Sequence, residues 1–302
     1  MTDKQKLDDF LTESNLLNLC SYENLYAKDV LTYNVSPKFS ALNAKELSLI
    51  RDGLITIGGE ASAGKTSFLT ELALDIVKNN ESTCFVFFSL DDSVKATAKR
   101  ILTQQLEYNF FLDAALSRDE LADKLGRNGE LSFVNPFNRC RIISEAPDNL
   151  SYEDIIEGVK TKTDCNRVII AIDYLQIMQV DGGDRREALN KALLSLKESQ
   201  KKLANCGPGA GCILFVLSQF SRGSEGNTFR YRETSEIENV SDVCLDLTTD
   251  AAGAISINVS KNKVGKRNVK FHTSIDALFR FEAIQKQVEI QFKPNKLTED
   301  LL

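Results

Sequence analysis

Short apolar runs alternate with amphipathic segments along most of the chain. The continuous runs are typical of strands buried on both faces of a parallel sheet, and they lie at 54–57, 84–90, 168–172 and 212–217. Between them lie segments in which apolar residues recur at helical spacing, at 64–78, 94–107, 152–160 and 184–204. With a further short strand at 141–143, this alternation predicts an α/β layer fold around a mostly parallel central sheet.

The pattern changes towards the C-terminus. After residue 242 helical signals are few, and short strands are predicted at 243–247, 254–260, 268–273 and 279–282. They indicate a β-rich edge on the same domain. A helical insertion is predicted at 108–135, ahead of the short strand at 141–143.

The N-terminal 50 residues are polar, but some apolar residues recur at roughly helical spacing, at Leu7, Phe10, Leu11, Leu16 and Leu17. This favours a short helical arm that packs on another surface, with a solvated tail as the alternative. The predicted organisation is an arm and irregular lead-in over 1–50, an α/β domain over 51–290 and a C-terminal tail over 291–302.

Composition and charge narrow the class of protein. The formal net charge of −6 argues against a protein that coats nucleic acid through bulk electrostatics, but it leaves a local basic patch possible. The N-terminus lacks a secretory signal, and the apolar runs are too short to span a membrane, so a cytoplasmic location is expected. The seven cysteines show no metal-ligand spacing and are expected to be free thiols in a reducing compartment, and one histidine excludes a histidine metal cluster.

The residues after the first predicted strand match the phosphate-binding pattern G-x-x-x-x-G-K-[ST], from Gly59 to Thr66, and a predicted helix follows them. Glycines let backbone amides turn towards phosphates, and the helix start adds its unsatisfied N–H groups. Lys65 is expected to reach the β- and γ-phosphates, and the Thr66 hydroxyl to bind Mg²⁺. The predicted nucleotide-binding residues are Gly59, Ala61, Ala63, Gly64, Lys65, Thr66 and Ser67.

Acidic residues that end two predicted strands complete the expected chemistry. Asp173 ends the strand at 168–172, where a carboxylate would help to hold the metal; a purely structural hydrogen bond is the alternative. Asp91 and Asp92 follow the strand after the phosphate loop, next to the γ-phosphate if the strand order is standard. Asp91 is the first choice for the base that orients water and Asp92 the second, unless both merely cap the next helix.

In this order, the segments resemble the ATPase domain of DnaB-type replicative helicases, in the RecA-like superfamily of P-loop NTPases. The resemblance runs from about Tyr33 to Glu282. Five segments carry it: Gly58 to Thr66, Phe88 to Asp91, Ile172 to Gln176, Leu217 to Arg222, and Arg232 to Asp242. It implies a RecA-like core with a short N-terminal helical arm in front of it.

The resemblance also implies roles for single residues. Asp91 matches the family's catalytic glutamate, and Gln219 matches the glutamine that senses the γ-phosphate. Arg232 and Glu233 match the start of the loop that holds single-stranded DNA in a central channel. Lys261 and Lys263 match a catalytic pair that reaches the γ-phosphate of the neighbouring subunit in a ring-shaped hexamer.

The sequence departs from the family pattern at several places. Lys263 stands where the family has an arginine finger, and it supplies charge without a planar bidentate fork. Ser235 stands where the channel loop has glycine, two residues after Glu233. Of the large N-terminal domain of bacterial replicative helicases, only a short arm is expected here.

The favoured interpretation is a DnaB-like DNA-dependent ATPase, a hexameric helicase or translocase acting in the DNA replication of a phage, plasmid or mobile element. It implies ATP and Mg²⁺, single-stranded DNA, self-association into a ring, and a loader or replication partner for the arm. The pair Asp91 and Asp92 also resembles the acidic pair of KaiC- and RadA-like ATPases, which leaves open an ATP-switched assembly or loader protein that does not unwind DNA. A nucleotide binder that has lost catalysis is the third possibility.

Overall fold

The computed structural model describes residues 33–106, 108–111, 138–144, 152–173, 185–207, 209–220, 231 and 236–286. Most of the predicted N-terminal arm, most of the predicted helical insertion and the whole predicted C-terminal tail lie outside these residues.

The described strands form a single sheet in the spatial order β3-β2-β4-β5-β1-β6-β7-β8-β9. Their bounds are β1 Gly53–Gly59, β2 Thr83–Ser89, β3 Cys140–Ile143, β4 Arg167–Asp173, β5 Gly211–Gln219, β6 Val243–Thr249, β7 Ile255–Asn262, β8 Val269–Thr273 and β9 Gln285–Lys286. The strands β1 to β6 are mutually parallel. The carboxyl ends of β1, β2, β4 and β5 therefore meet at one edge of the sheet, where ligands of open α/β sheets bind.

Helices cover both faces of the parallel part. They are α1 Lys65–Asn79, α2 Val94–Leu106, α3 Tyr152–Thr163, α4 Arg185–Ala204 and the short α5 Glu236–Val240, with a 3₁₀ turn at Ser40–Asn43. Successive strand residues point to opposite faces, so β4 sends Ile169 towards α1 and Ile170 towards α3 and α4. Each such fully buried apolar side chain contributes about 1.5–3 kcal/mol. This double burial explains the continuous apolar runs, and it confirms the predicted α/β fold.

The sheet continues past β6 through antiparallel pairs, which confirms the predicted β-rich edge. The strand predicted at 279–282 is wrong, because only an isolated bridge forms there, at Phe281. The carboxylate of Asp276 accepts the backbone N–H of Arg280 at 2.9 Å and closes a turn. Phe281 instead packs edge-on against Phe68 of α1, with ring centroids 5.3 Å apart.

The described part of the lead-in, residues 33–50, belongs to the same core. Tyr33 and Phe39 are fully buried, and the phenol of Tyr33 donates to Asp52 at 2.8 Å. The ring of Phe39 lies edge-on to Phe68. The lead-in therefore packs on α1 and on the start of β1.

Within the described ranges no cysteine forms a disulfide; these cysteines are at positions 84, 140, 165, 206, 212 and 244. Four of them are buried as small apolar residues, whereas Cys140 is half-buried and Cys206 is exposed. Among the helices that the structure describes, none has the length and apolar character needed to cross a bilayer.

Candidate active site

The loop after β1 has the backbone that a phosphate-binding loop requires. Gly64 has φ +82° immediately before α1, in the left-handed region that glycine adopts without steric cost. A side chain at Gly59 would place its Cβ 2.7 Å from the carbonyl oxygen of Leu247, so only glycine fits there. No side chain of the described residues caps the start of α1. The first N–H groups of α1 therefore remain available to an anion.

Lys65 lies inside this loop. Only 8% of its surface is exposed, and its Nζ donates to the carbonyl oxygens of Gly59 and Glu60 at 3.1 and 2.6 Å. Burial lowers the pKa of Lys65, while the nearby carboxylates of Asp173 and Asp91 act in the opposite direction. The ammonium is thus held where a bound phosphate could exchange for the two carbonyl groups.

Thr66 and Asp173 meet across the sheet edge. The Thr66 hydroxyl donates to Oδ2 of Asp173 at 2.7 Å, and Asp173 is 6% exposed at the end of β4. Desolvation raises the pKa of Asp173 to about 6, with the hydrogen bond from Thr66 lowering it and the charge of Asp91 raising it. A hydroxyl and a carboxylate in contact are hard oxygen ligands, so this pair fits Mg²⁺ bound together with phosphate oxygens.

Asp91 lies next to Asp173, because β2 neighbours β4 in the sheet. The backbone N–H of Asp91 donates to the carbonyl oxygen of Asp173 at 3.3 Å. Since β4 and β5 separate β2 from the phosphate-loop strand β1, Asp91 approaches Lys65 from the side of Asp173.

The two acids after β2 have different surroundings. The Asp92 carboxylate accepts a hydrogen bond from the Arg100 guanidinium of α2 at 2.8 Å. The side chain of Asp91 is exposed and makes no ion pair with any residue that the structure describes. This difference supports Asp91 over Asp92 as the candidate base.

Gln219 ends β5, which lies between β4 and the phosphate-loop strand. It is in register with Gly59, and the next backbone N–H, of Phe220, donates to the Gly59 carbonyl at 3.2 Å. Five predicted residues therefore meet at one sheet edge: Lys65, Thr66, Asp91, Asp173 and Gln219.

Lys261 and Lys263 lie at the opposite edge of the sheet. The backbone N–H of Lys263 donates to the carbonyl of Asp242, whose own N–H donates to Leu54 at the start of β1. Gly59 lies five residue steps along β1 from Leu54, which is about 16 Å at the rise of a strand. A lysine side chain does not span that distance, so neither lysine reaches the phosphate loop of its own subunit.

A family model described as "DnaB-like helicase C terminal domain" matches residues 34–280, which is most of the chain. The chain belongs to this family. The match confirms the resemblance carried by the five segments and has almost the same limits, since the segments extend from about Tyr33 to Glu282.

Curated members of the DnaB-like family are similar at modest identity. The replicative DNA helicase DnaB of Nostoc sp. is 27% identical over 241 residues, which cover 76% of this chain and 25% of that protein. A probable replicative DNA helicase of Trieres chinensis is 28% identical over 272 residues, which cover 83% of this chain and 55% of that protein. The chain therefore spans about a quarter to about half of the length of these relatives.

Solved structures confirm the RecA-like fold predicted for the DnaB-like chain. A structure described as an ATPase domain matches with a TM-score of 0.64 at 18% identity, over 93% of this chain and 98% of that one. A DnaB-like replicative helicase, studied with its interactions with primase, matches with the same TM-score and identity over 66% of its chain.

The predicted DNA-contact residues Arg232 and Glu233 lie outside the described residues, as does Ser235. Tyr231, immediately before them, is described. Its hydroxyl donates to Asp246 at 2.8 Å, and its ring lies 5.7 Å from that of Phe220, edge to face.

Sequence reasoning overlooked several residues around the site. Tyr231 occupies a polar stretch without a strand or helix pattern, so no sequence signal marks its burial. Arg100 follows Asp92 by eight residues, but whether the two side chains form an ion pair depends on the direction in which α2 runs from the end of β2. Gln104 donates to the Ser67 carbonyl at 2.9 Å and to the Phe279 carbonyl at 2.8 Å, and so ties α2 to the start of α1.

Proposed function

We propose that this chain is a Mg²⁺-dependent ATPase of the DnaB type that works in a ring of identical subunits on single-stranded DNA during DNA replication. The convergence of Lys65, Thr66, Asp173 and Asp91 at one sheet edge supports it. An ammonium, a hydroxyl and two carboxylates beside an open helix start are the groups that phosphoryl transfer to water needs.

Each residue would have a separate task in hydrolysis. The amides of the loop and Lys65 would hold the β- and γ-phosphates, with Thr66 and Asp173 as the metal ligands. Magnesium, when bound, would neutralise negative charge on those phosphates. Asp91 would orient a water molecule and accept its proton as the water oxygen bonds to the γ-phosphorus and the bond to the leaving oxygen breaks. Gln219, beside Gly59, would contact the γ-phosphate.

The position of Lys261 and Lys263 supports assembly into a ring. Their place at the edge opposite the phosphate loop prevents a contribution within one subunit. In a head-to-tail ring, that edge would face the nucleotide of the next subunit, where a lysine would stabilise the developing charge. We propose Arg232 and Glu233 as contacts to the single strand in the channel.

The proposed function predicts stimulation by single-stranded DNA. Saturating oligonucleotide should raise the turnover of ATP by about tenfold, within the usual range of coupling between two sites. Phosphate release should be measured with and without the strand, with duplex DNA as the control. A forked duplex tests strand displacement in the same preparation.

If single-stranded DNA does not change ATP turnover and the forked duplex is not unwound while ATP is still hydrolysed, the proposed action on DNA is wrong. The acidic pair Asp91 and Asp92 would then favour the ATP-switched assembly protein, which negative-stain imaging with an ATP analogue would reveal as a filament or a heteromeric complex. DNA dependence and the shape of the particle therefore distinguish a helicase or translocase from an ATP-switched assembly protein.

A second prediction separates the two adjacent acids. The variant Asp91→Asn should lose turnover by about 10²-fold with little change in ATP affinity, because only the proton acceptor is removed. Asp92→Asn should cost less than about fivefold, since this half-exposed carboxylate pairs with Arg100 and does not act on water. Steady-state turnover and binding of a fluorescent ATP analogue measure both effects. A larger loss for Asp92→Asn would reverse the assignment.

A further inference from the structure

One carboxylate joins two lysines at the sheet edge opposite the phosphate loop. Oδ1 of Asp242 accepts a hydrogen bond from Nζ of Lys263 at 3.0 Å, and Oδ2 pairs with Nζ of Lys197 from α4. The same Oδ2 accepts the backbone N–H of Leu54 at 2.8 Å. All of these groups lie in the part of the chain that the structure describes.

Asp242 is itself held rigidly. Its backbone N–H donates to the Leu54 carbonyl at 2.8 Å and its carbonyl accepts the N–H of Lys263 at 3.0 Å, so main-chain bonds fix it on both sides. A Cβ at Gly53 would lie 2.7 Å from Oδ2, so the carboxylate fills the space beside the start of β1. The Lys263 side chain, a flexible four-carbon stem, is therefore attached to a fixed point.

Charge and exposure show which lysine is presented outward. The Lys263 side chain is 45% exposed, whereas that of Lys197 is 12% exposed. Two ammonium groups and one carboxylate leave a single net positive charge. Because the Lys197 side chain is mostly covered and pairs with Asp242, the net positive charge of the trio is presented by Lys263 in a defined position.

We propose that Asp242 is a positioning residue that orients Lys263 towards the nucleotide of the neighbouring subunit, with Lys197 compensating the charge of Asp242. This inference rests on the proposed ring and on a role for Lys263 in it. A lysine lacks the rigid fork of an arginine finger, and an external carboxylate supplies the orientation that the side chain itself lacks. The neighbouring Lys261 is held in a similar way, by the carbonyl groups of Glu238 and Asn239 at the end of α5.

Mixed rings of full-length subunits test this role. Asp242→Asn keeps an acceptor for the Leu54 N–H but loses both ion pairs, and should lower kcat for ATP by about tenfold with KM for ATP within about twofold. Adding an excess of Lys65→Ala subunits, which have no working site but an intact Asp242 and Lys263, should restore turnover at the Asp242→Asn sites. Adding Lys263→Ala subunits should not, because they also lack the contact.

The mixing pattern distinguishes positioning from a structural defect. A subunit that is merely misfolded would not regain turnover from a partner, so rescue by Lys65→Ala alone supports the inference. Turnover of Asp242→Asn within about twofold of the unmodified protein, or absence of rescue, would overturn it. If Asp242→Asn does not fold, Lys197→Met keeps the Leu54 and Lys263 bonds but removes the charge that compensates Asp242, so the carboxylate then neutralises Lys263. Its kcat should fall and be restored by Lys65→Ala subunits, and a normal kcat for Lys197→Met would overturn the inference.

A reference mixture separates this inference from the proposed function. Lys263→Ala combined with Lys65→Ala should regain turnover if Lys263 acts across the subunit boundary at all. If that mixture stays inactive, both the trans contact and its positioning by Asp242 are wrong. If that mixture is active and the one with Asp242→Asn is not, only the role of Asp242 is wrong.

Discussion

Replacing Lys65 by alanine is expected to lower ATP turnover by about 10³-fold, which corresponds to roughly 4 kcal/mol of transition-state stabilisation. Among the described residues, the buried Nζ of Lys65 is bonded only to the carbonyl groups of Gly59 and Glu60, which a phosphate can replace. No other ammonium of the described chain is placed inside that loop. Phosphate release at saturating ATP and magnesium measures the loss.

Lys191→Ala is the matched control for Lys65→Ala. Lys191 lies on α4, 75% exposed and paired with Glu187 one helical turn away, so its removal should leave turnover unchanged. Circular dichroism should show both variants folded, because the hydrogen bonds of the Lys65 ammonium go to the loop and hold no other element in place. If Lys65→Ala kept more than about a tenth of the activity, the loop would not be the site of hydrolysis.

The sequence predicted most of the fold because its strands are buried on both faces. Continuous apolar runs such as Val168 to Ile172 leave little choice of structure, and the glycines of the phosphate loop have strict backbone requirements. Thr66 and Asp173 could be paired in advance, since a strand of a parallel sheet ends at the same edge as the phosphate loop. For these residues, the local sequence pattern and the general topology of parallel sheets were sufficient to predict the position of each.

Contacts that depend on the order of strands were not predictable from pattern. Asp91 lies beside Asp173 only because β2 pairs with β4, and no sequence period encodes that neighbour. Likewise, Lys197 and Asp242 are far apart in the sequence, so no local pattern predicts the ion pair between them. The strand predicted at 279–282 failed because its apolar residues were counted without the turn that Asp276 closes.

Asp173→Asn is expected to lower ATP turnover by about 10²-fold or more and to stabilise the metal-free protein. The amide is nearly isosteric and can still accept the hydrogen bond from Thr66, but it is a much weaker ligand for Mg²⁺ than a carboxylate. Burial raises the pKa of Asp173 from 3.8 to about 6, so holding this carboxylate ionised at neutral pH costs the folded state on the order of 3 kcal/mol. The variant removes that cost.

The raised pKa of Asp173 determines how the stability change in Asp173→Asn depends on pH. A carboxyl group whose pKa is higher in the folded state than in the unfolded state binds its proton more tightly when folded, so its contribution to stability is greatest below pH 4 and is lost as the pH rises through about 6. Asp173→Asn should therefore unfold at nearly the same denaturant concentration as the unmodified protein at pH 4 and at a higher one at pH 7.5, both measured with a chelator present. Glu187→Gln, on the exposed surface of α4, should change neither turnover nor this difference. If Asp173→Asn were the less stable protein at pH 7.5, the prediction would be wrong. The Asp173 carboxylate would then stabilise the metal-free fold as a hydrogen-bond acceptor instead of destabilising it as a buried charge.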